Sequence, residues 1–379
     1  MINIGIDASR NRSGGARAHI IGILSALDGE APTNVAEIHV WSYDLLLDQL
    51  PNYPWLKKHT HPSLKKGLLS QILWQYFKLP KEAKLQNIDI MLNTDAGTLC
   101  RYQPSVTMSR DMLSYEPGEM QRFGLSIQRL RLILLKYVQN FSLKHSTAAL
   151  FLTQYASDVI QKSSGRIDKT VVIPHGVSDN FRFENKVWKD SDKINNSIKC
   201  IYVSNVAPYK HQKNVAKAIE ILRNKGFDLQ IIFVGGGEGH SQDEFHNFIT
   251  SSPNSKCFKQ IEFLKHSELP KIINQSDLFI FASSCENMPN TLIEGMCSGL
   301  PIVCSDRGPM PEVLQDGGIY FDPENYLDIA DAIEKVITNE QLRILIAEKS
   351  KNISDNYSWK RCSKETFDFL VKTIKENEK

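Results

Sequence analysis

Short apolar runs recur along this chain, separated by longer stretches of mixed polarity. In the first half they are residues 2–7, 37–41, 89–92 and 106–109; in the second, 198–204, 229–234, 261–264, 277–281 and 300–304. Their length and β-branched or aromatic content suit strands buried on both faces. Between them lie amphipathic stretches such as 215–225 and 326–337, with apolar residues at helical spacing. This alternation predicts an α/β protein with parallel, doubly wound sheets. Residues 178–197, SDNFRFENKVWKDSDKINNS, have no such period and read as a join. The predicted division is a first domain over 1–180, a linker over 181–197, a second domain over 198–356 and a closing helical segment over 357–379. At 379 residues there is enough chain for two cores.

Two stretches of the first half carry an additional signal. Residues 68–79, LLSQILWQYFKL, are apolar enough to predict a buried helix. Residues 120–144 interleave Arg122, Arg129, Arg131, Lys136 and Lys144 with Leu, Ile, Phe and Tyr. That pattern has two readings: a core helix with a solvated basic face, or a helix lying on an anionic membrane surface.

Composition narrows the class. Lys plus Arg is 45 and Asp plus Glu is 43, so no overall charge draws the chain to nucleic acid. The seven cysteines are scattered without C-x-x-C spacing, which predicts reduced, mostly buried thiols in a cytoplasmic protein and no zinc site. Met1 leads directly into the first predicted strand, so no secretory signal is expected. No apolar run is long enough for a spanning helix.

The chemistry concentrates in residues 281–305, FASSCENMPNTLIEGMCSGLPIVCS. Asn287 is a fair helix cap, Pro289 fits a first helical position, Leu292, Ile293 and Met296 form an apolar stripe, and Gly299 ends the helix. Glu286 then falls in a strand-to-helix turn at the carboxyl end of a parallel strand, where open sheets bind ligands and a helix start attracts anions. Glu286 suits the hydroxyls of a sugar. The backbone through Asn287, Met288, Pro289, Asn290 and Thr291 suits a phosphate, and Glu294 reaches another part of the same ligand. The competing reading is two carboxylates that favour a helix N-terminus and face solvent.

Other candidates sit at similar positions. Gly14 and Gly15 follow the first strand and predict either a phosphate approach or a plain tight turn, with Arg17 and His19 just beyond. Arg110 and Asp111 follow the strand at 106–109. Asn205, Lys210 and Lys213 follow the strand at 198–204, and Lys265 follows 261–264. The glycines at 235–239 lack the G-x-G-x-x-G spacing and a partnering acidic residue, which disfavours a nicotinamide oxidoreductase. Outside the expected linker, which holds Asp190-Ser-Asp192, no D-x-D stands in a loop between strands, so no metal is expected.

Glu286, seven residues, Glu294 and then Gly-Met-Cys-Ser-Gly-Leu-Pro-Ile-Val resemble the E-x7-E signature of retaining GT-B glycosyltransferases, especially family 4, usually written E-G-x-G-x-x-x-x-E-A-M-A-x-G-x-P-V. Residues 170–177, TVVIPHGV, resemble the family's I-P-x-G-V, and 312–323 resemble its closing pattern. The resemblance implies a GT-B fold of two Rossmann-like doubly wound domains facing a central cleft, with the terminal helix crossing back to the first. It implies sugar transfer, with retention and without metal or cofactor, from a nucleoside diphosphate sugar, UDP or GDP, to a glycan or lipid-linked glycan. Bacterial surface polysaccharide synthesis, O-antigen or capsule, is the setting it suggests, in the cytoplasm or on the inner face of its membrane.

Carried onto this chain, the resemblance places Glu286 on the donor sugar, Glu294 on its ribose, and Lys210 with the backbone of residues 287–291 on the diphosphate. Gly14 and Gly15 face that diphosphate, and the turn holding Lys265 frames the base. Asn205 stands where the family has arginine, with Lys213 or Arg17 as substitute cations. Arg110 stands where it has histidine, beside Asp111, which is left to orient the acceptor with Arg17 and His19. Alternatives are a GT-B epimerase or phosphorylase, and a non-catalytic partner in which Asn205 and Arg110 mark lost chemistry.

Overall fold

The computed structural model describes residues 1–12, 14–184, 187–188 and 197–377. The chain forms two compact units, Met1–Gly176 with Tyr357–Lys379, and Val177–Asn356.

Seven parallel strands build the sheet of the first unit: β1 (Ile2–Asp7), β2 (Val35–Trp41), β3 (Leu56–His59), β4 (Ile90–Asn93), β5 (Ser105–Met108), β6 (Ala148–Phe151) and β7 (Thr170–Val172). Their order is β3-β2-β1-β4-β5-β6-β7. Ile4 pairs with Ile38 of β2 on one side and with Ile90 of β4 on the other, and all three are fully buried. The chain leaves β1 in one direction and returns to its other side at β4. Loops at that reversal diverge and open a crevice at the carboxyl ends.

Six parallel strands repeat the scheme in the second unit: β8 (Ile198–Val203), β9 (Leu229–Val234), β10 (Phe258–Ile261), β11 (Leu278–Phe281), β12 (Ile302–Ser305) and β13 (Ile319–Phe321). The order β10-β9-β8-β11-β12-β13 puts the reversal between β8 and β11. β11 is Leu-Phe-Ile-Phe, fully buried, and the last four residues of β8, Cys-Ile-Tyr-Val, are buried too, as suits a sheet covered on both faces. The expected strand at 261–264 lies three residues earlier, because Phe263 points to solvent and Ile261 is the last residue paired with β9.

Residues 357–379 belong to the first unit, through the helix Trp359–Asn377. The Ser363 hydroxyl donates to the Ile23 carbonyl at 2.6 Å. Two glycines make room for Trp359: a Cβ on Gly22 would lie 2.3 Å from its ring, and one on Gly176 would lie 2.2 Å from its backbone nitrogen. Of the expected linker, residues 185–186 and 189–196 lie outside the described residues. Val177–Asn356 already includes the stretch before them: Phe181 is buried, and Arg182 pairs with Asp355 at 2.9 Å.

The helix expected at 68–79 is not a buried one. It forms as Leu68–Leu73, breaks into a π-turn over Trp74–Lys78, and resumes as Leu79–Leu85. The π-turn rotates Trp74 and Gln75 inward, where Gln75 Nε2 donates to Asp7 Oδ2 at 2.5 Å and Trp74 Nε1 to Glu82 Oε1 at 3.0 Å. Leu68, Leu69, Leu73 and Phe77 are left in solvent. Residues 120–144 likewise divide, into a short turn at Met120–Phe123 and the helix Ile127–His145.

Candidate active site

In the second unit the loops after β8 and β11, on either side of the reversal, are laced together. The Ser284 amide donates to the Tyr209 carbonyl at 2.8 Å, and the Ser284 hydroxyl lies 3.0 Å from His211 Nε2. His211 takes a left-handed conformation, φ 53° and ψ 29°, to turn the loop into the helix Gln212–Asn224. A non-glycine residue held there costs about 1 kcal/mol or more, sustained by the surrounding bonds. Gln212 is buried and donates to the Ser204 hydroxyl at 2.8 Å and to the Asn205 carbonyl at 2.7 Å.

This bracing aims Lys210. It ends a short turn at Pro208–Lys210, and its carbonyl accepts the Tyr202 hydroxyl at 2.6 Å. Burial pushes the Tyr202 phenol well up, so it stays a donor. The Lys210 side chain is buried, its ammonium lies 5.2 Å from the Tyr209 ring centre, and it is ion-paired with Glu286. The β8 and β11 loops therefore deliver a cation and a carboxylate to one point.

Glu294 is the fifth residue of the helix Asn290–Cys297 and is only 7% exposed. Gly295 lets that helix press on the sheet, since a Cβ there would lie 2.8 Å from the Phe279 ring. Glu294 Oε1 lies 2.8 Å from Nε2 of His266, and Oε2 is buried with no partner among the described residues. An unsatisfied buried polar group costs about 1–3 kcal/mol, more for a charged one. The carboxylate raises the pKa of His266, whose side chain is 63% exposed and stands 5.3 Å from the Phe181 ring. His266 was missed in the sequence: it is 28 positions from Glu294, and no spacing links them.

Two expectations for the second unit need correction. Pro289 has φ −82° and ψ 75°, so the helix starts one residue later and Asn287 is not its cap. Proline also has no N–H, and the Asn290 amide is used by the Met288 carbonyl at 3.0 Å, so the phosphate cradle expected over Asn287, Met288, Pro289, Asn290 and Thr291 offers fewer donors. Lys213, expected as a substitute cation, pairs with Glu244 at 2.5 Å. Asn205 and Lys265 are exposed.

In the first unit Gly14 and Gly15 open the helix Gly14–Ser25 instead of forming a turn ahead of it, and a Cβ on Gly14 would meet nothing within 4 Å. Arg110 fixes this helix start, donating to the Gly15 carbonyl at 2.8 Å and the Ala16 carbonyl at 3.3 Å. Burial lowers its pKa to about 10. Arg17 is half-buried on the same helix. His19 is fully buried and stacked on His175 at 4.6 Å, and burial holds it neutral with its pKa well below the usual value. Asp111 takes the Leu113 amide at 3.0 Å, and burial raises its pKa. His19 and Asp111 are thus set inward.

All seven cysteines are free thiols, and six are buried. Among the described residues no cluster of His, Cys, Asp or Glu is placed to hold a metal, and no helix is long and apolar enough to cross a membrane.

Two Rossmann-like parallel-sheet units define a GT-B fold, and solved structures agree. Sucrose-phosphate synthase from Thermosynechococcus elongatus superposes with a TM-score of 0.79 at 12% identity, covering 99% of this chain and 100% of that one. HepE from Anabaena, solved in complex with UDP and glucose, gives 0.72 at 18% identity, covering 98% and 100%. Residues 184–356, within the second unit, match the family model for Glycosyl transferases group 1.

Among curated relatives, O-antigen chain mannosyltransferase B of Escherichia coli is 20% identical over 166 residues, 44% of each chain. Capsular polysaccharide biosynthesis glycosyltransferase CapM of Staphylococcus aureus is 24% identical over 211 residues, 52% of this chain and 54% of that one. The matches span about half the length of these relatives.

Proposed function

We propose that this chain is a retaining, metal-independent glycosyltransferase that moves a sugar from a nucleoside diphosphate donor to a hydroxyl acceptor. The observation that carries this reading is the buried Lys210–Glu286 pair at the reversal of the second sheet. The donor diphosphate takes the Lys210 ammonium from Glu286, and the released carboxylate accepts hydrogen bonds from the sugar. Glu294, with its partnerless oxygen, accepts from the ribose. A UDP-sugar is favoured over a GDP-sugar because the superposing HepE structures hold UDP, UDP-glucose, or UDP with glucose. The O-antigen and capsule relatives favour a surface glycan, or its lipid-linked precursor, as acceptor.

In the reaction the bond from the anomeric carbon to the diphosphate breaks, and its electron pair leaves with the phosphate oxygen. Lys210 opposes the charge that develops there. The acceptor oxygen bonds to the same face of the sugar, and its proton passes to the departing phosphate. Acceptor recognition is assigned to the first unit, through Arg17 and the helix start held by Arg110.

Incubation of the chain with UDP-sugars and simple glycan acceptors, with and without a chelator, tests this. An α-linked product from an α-linked donor, formed equally with chelator, is expected; an inverted product, or activity only with a divalent cation, overturns the corresponding part.

The His266–Glu294 contact adds a pH dependence. Because the pair raises the pKa of His266, its stabilisation is complete below about 6.5 and is lost as pH rises through the raised value. The Glu294 carboxylate is then released to the ribose. Nucleotide affinity measured calorimetrically is expected to increase as pH rises from about 6 to about 8.5, and His266→Gln is expected to flatten the profile. An unchanged slope in that variant would place the titrating group elsewhere.

A further inference from the structure

The helix Ile127–His145 turns its main apolar stripe outward. Ile127, Leu130, Leu134, Tyr137 and Phe141 recur at helical spacing and are all exposed, Ile127 at 88% and Tyr137 at 70%, whereas the buried residues of the helix are Leu132, Gln139 and Leu143. The helix Leu68–Leu73 and the π-turn that follows it do the same with Leu68, Leu69, Leu73 and Phe77, Leu69 at 77%. One guanidinium joins the two: Arg101 lies 4.6 Å from the Tyr76 ring centre and 5.7 Å from that of Phe141. The two segments therefore share one face of the first unit. A continuous exposed apolar face of this kind marks a surface that meets an apolar partner.

Charge selects the partner. Residues 62–81 and 120–145 contain no Asp or Glu, while Lys66, Lys78, Arg101, Arg131 and Lys144 are exposed among or beside the apolar side chains. The acids that adjoin these stretches are turned inward: Glu82 accepts from the indoles of Trp41 and Trp74 at 3.0 Å each, and Glu119 is buried and pairs with Arg122 at 2.8 Å. Leucines flanked by unopposed cations and an exposed tyrosine match the acyl boundary and phosphates of a lipid bilayer. We propose that this face docks on an anionic lipid bilayer, with Leu68, Leu69, Leu73 and Ile127 entering the acyl boundary and Arg101, Arg131 and Lys144 meeting lipid phosphates. The proposal stands apart from sugar transfer and is read without it.

Co-flotation of the full chain with vesicles tests it, comparing phosphatidylcholine alone with equal parts phosphatidylcholine and phosphatidylglycerol. Binding to the mixed vesicles and not to the neutral ones is expected. Leu69→Glu with Ile127→Glu, and separately Arg131→Glu with Lys144→Glu, are each expected to lower that binding at least about tenfold. Unchanged thermal melting would show both variants folded, since every altered side chain is exposed. Absence of binding, equal binding to neutral vesicles, or binding indifferent to both pairs overturns the proposal. So does a dimer, detected by light scattering, that either pair dissociates: the face would then belong to a second copy of the chain.

Discussion

Lys210→Ala lowers the turnover of sugar transfer by roughly a hundredfold to a thousandfold at saturating donor. The departing diphosphate develops charge in the transition state, and removing one fixed donor from such a site costs about 3–4 kcal/mol. Lys213 pairs with Glu244, and the position where the resembled family has arginine is filled by the exposed Asn205. The pairing of Lys210 with Glu286 keeps the ammonium in place before donor arrives. Steady-state kinetics on Lys210→Ala and Lys210→Arg check this. Undiminished turnover in the alanine variant would remove Lys210 from the chemistry.

Glu294→Gln separates stability from binding. The variant loses a charged acceptor to the ribose, worth about 1.5–3 kcal/mol, so nucleotide affinity falls roughly tenfold to a hundredfold. Once pH has risen past the titration of His266, where the pair no longer stabilises the fold, the variant's melting temperature equals or exceeds that of the parent. A neutral amide replaces a buried anion whose Oε2 has no partner among the described residues, and the amide oxygen still accepts from His266. Calorimetric titration with the nucleotide, beside a thermal melt, reads both quantities. A less stable variant that binds as well as the parent would make Glu294 a structural residue.

Much of the fold could be read from the sequence because the strands are buried on both faces and so appear as short apolar runs. The runs at 2–7 and 229–234 coincide with β1 and β9, and the helix at 326–337 has its expected bounds. Failures came where a local backbone event changed which face turned inward. The π-turn at Trp74–Lys78 breaks a segment whose first helix, Leu68–Leu73, leaves in solvent leucines that composition alone assigns to the core, and the ψ of Pro289 shifts a helix start by one residue. The carboxylates of the site were legible from spacing. The Lys210–Glu286 pair was not, because 76 residues separate the partners and only the β8–β11 adjacency brings them together. His266 was hidden for the same reason.

The central claim is a nucleotide-sugar site built on Lys210, Glu286 and Glu294, and thermal stabilisation by a panel of UDP-, GDP-, ADP- and dTDP-sugars tests it most directly. A donor at 100 times its dissociation constant stabilises the unit that binds it by about 2.7 kcal/mol. A shift with UDP-sugars, reduced in both Lys210→Ala and Glu294→Gln, is the predicted result. No shift with any nucleotide, or a shift that both variants retain in full, would contradict it.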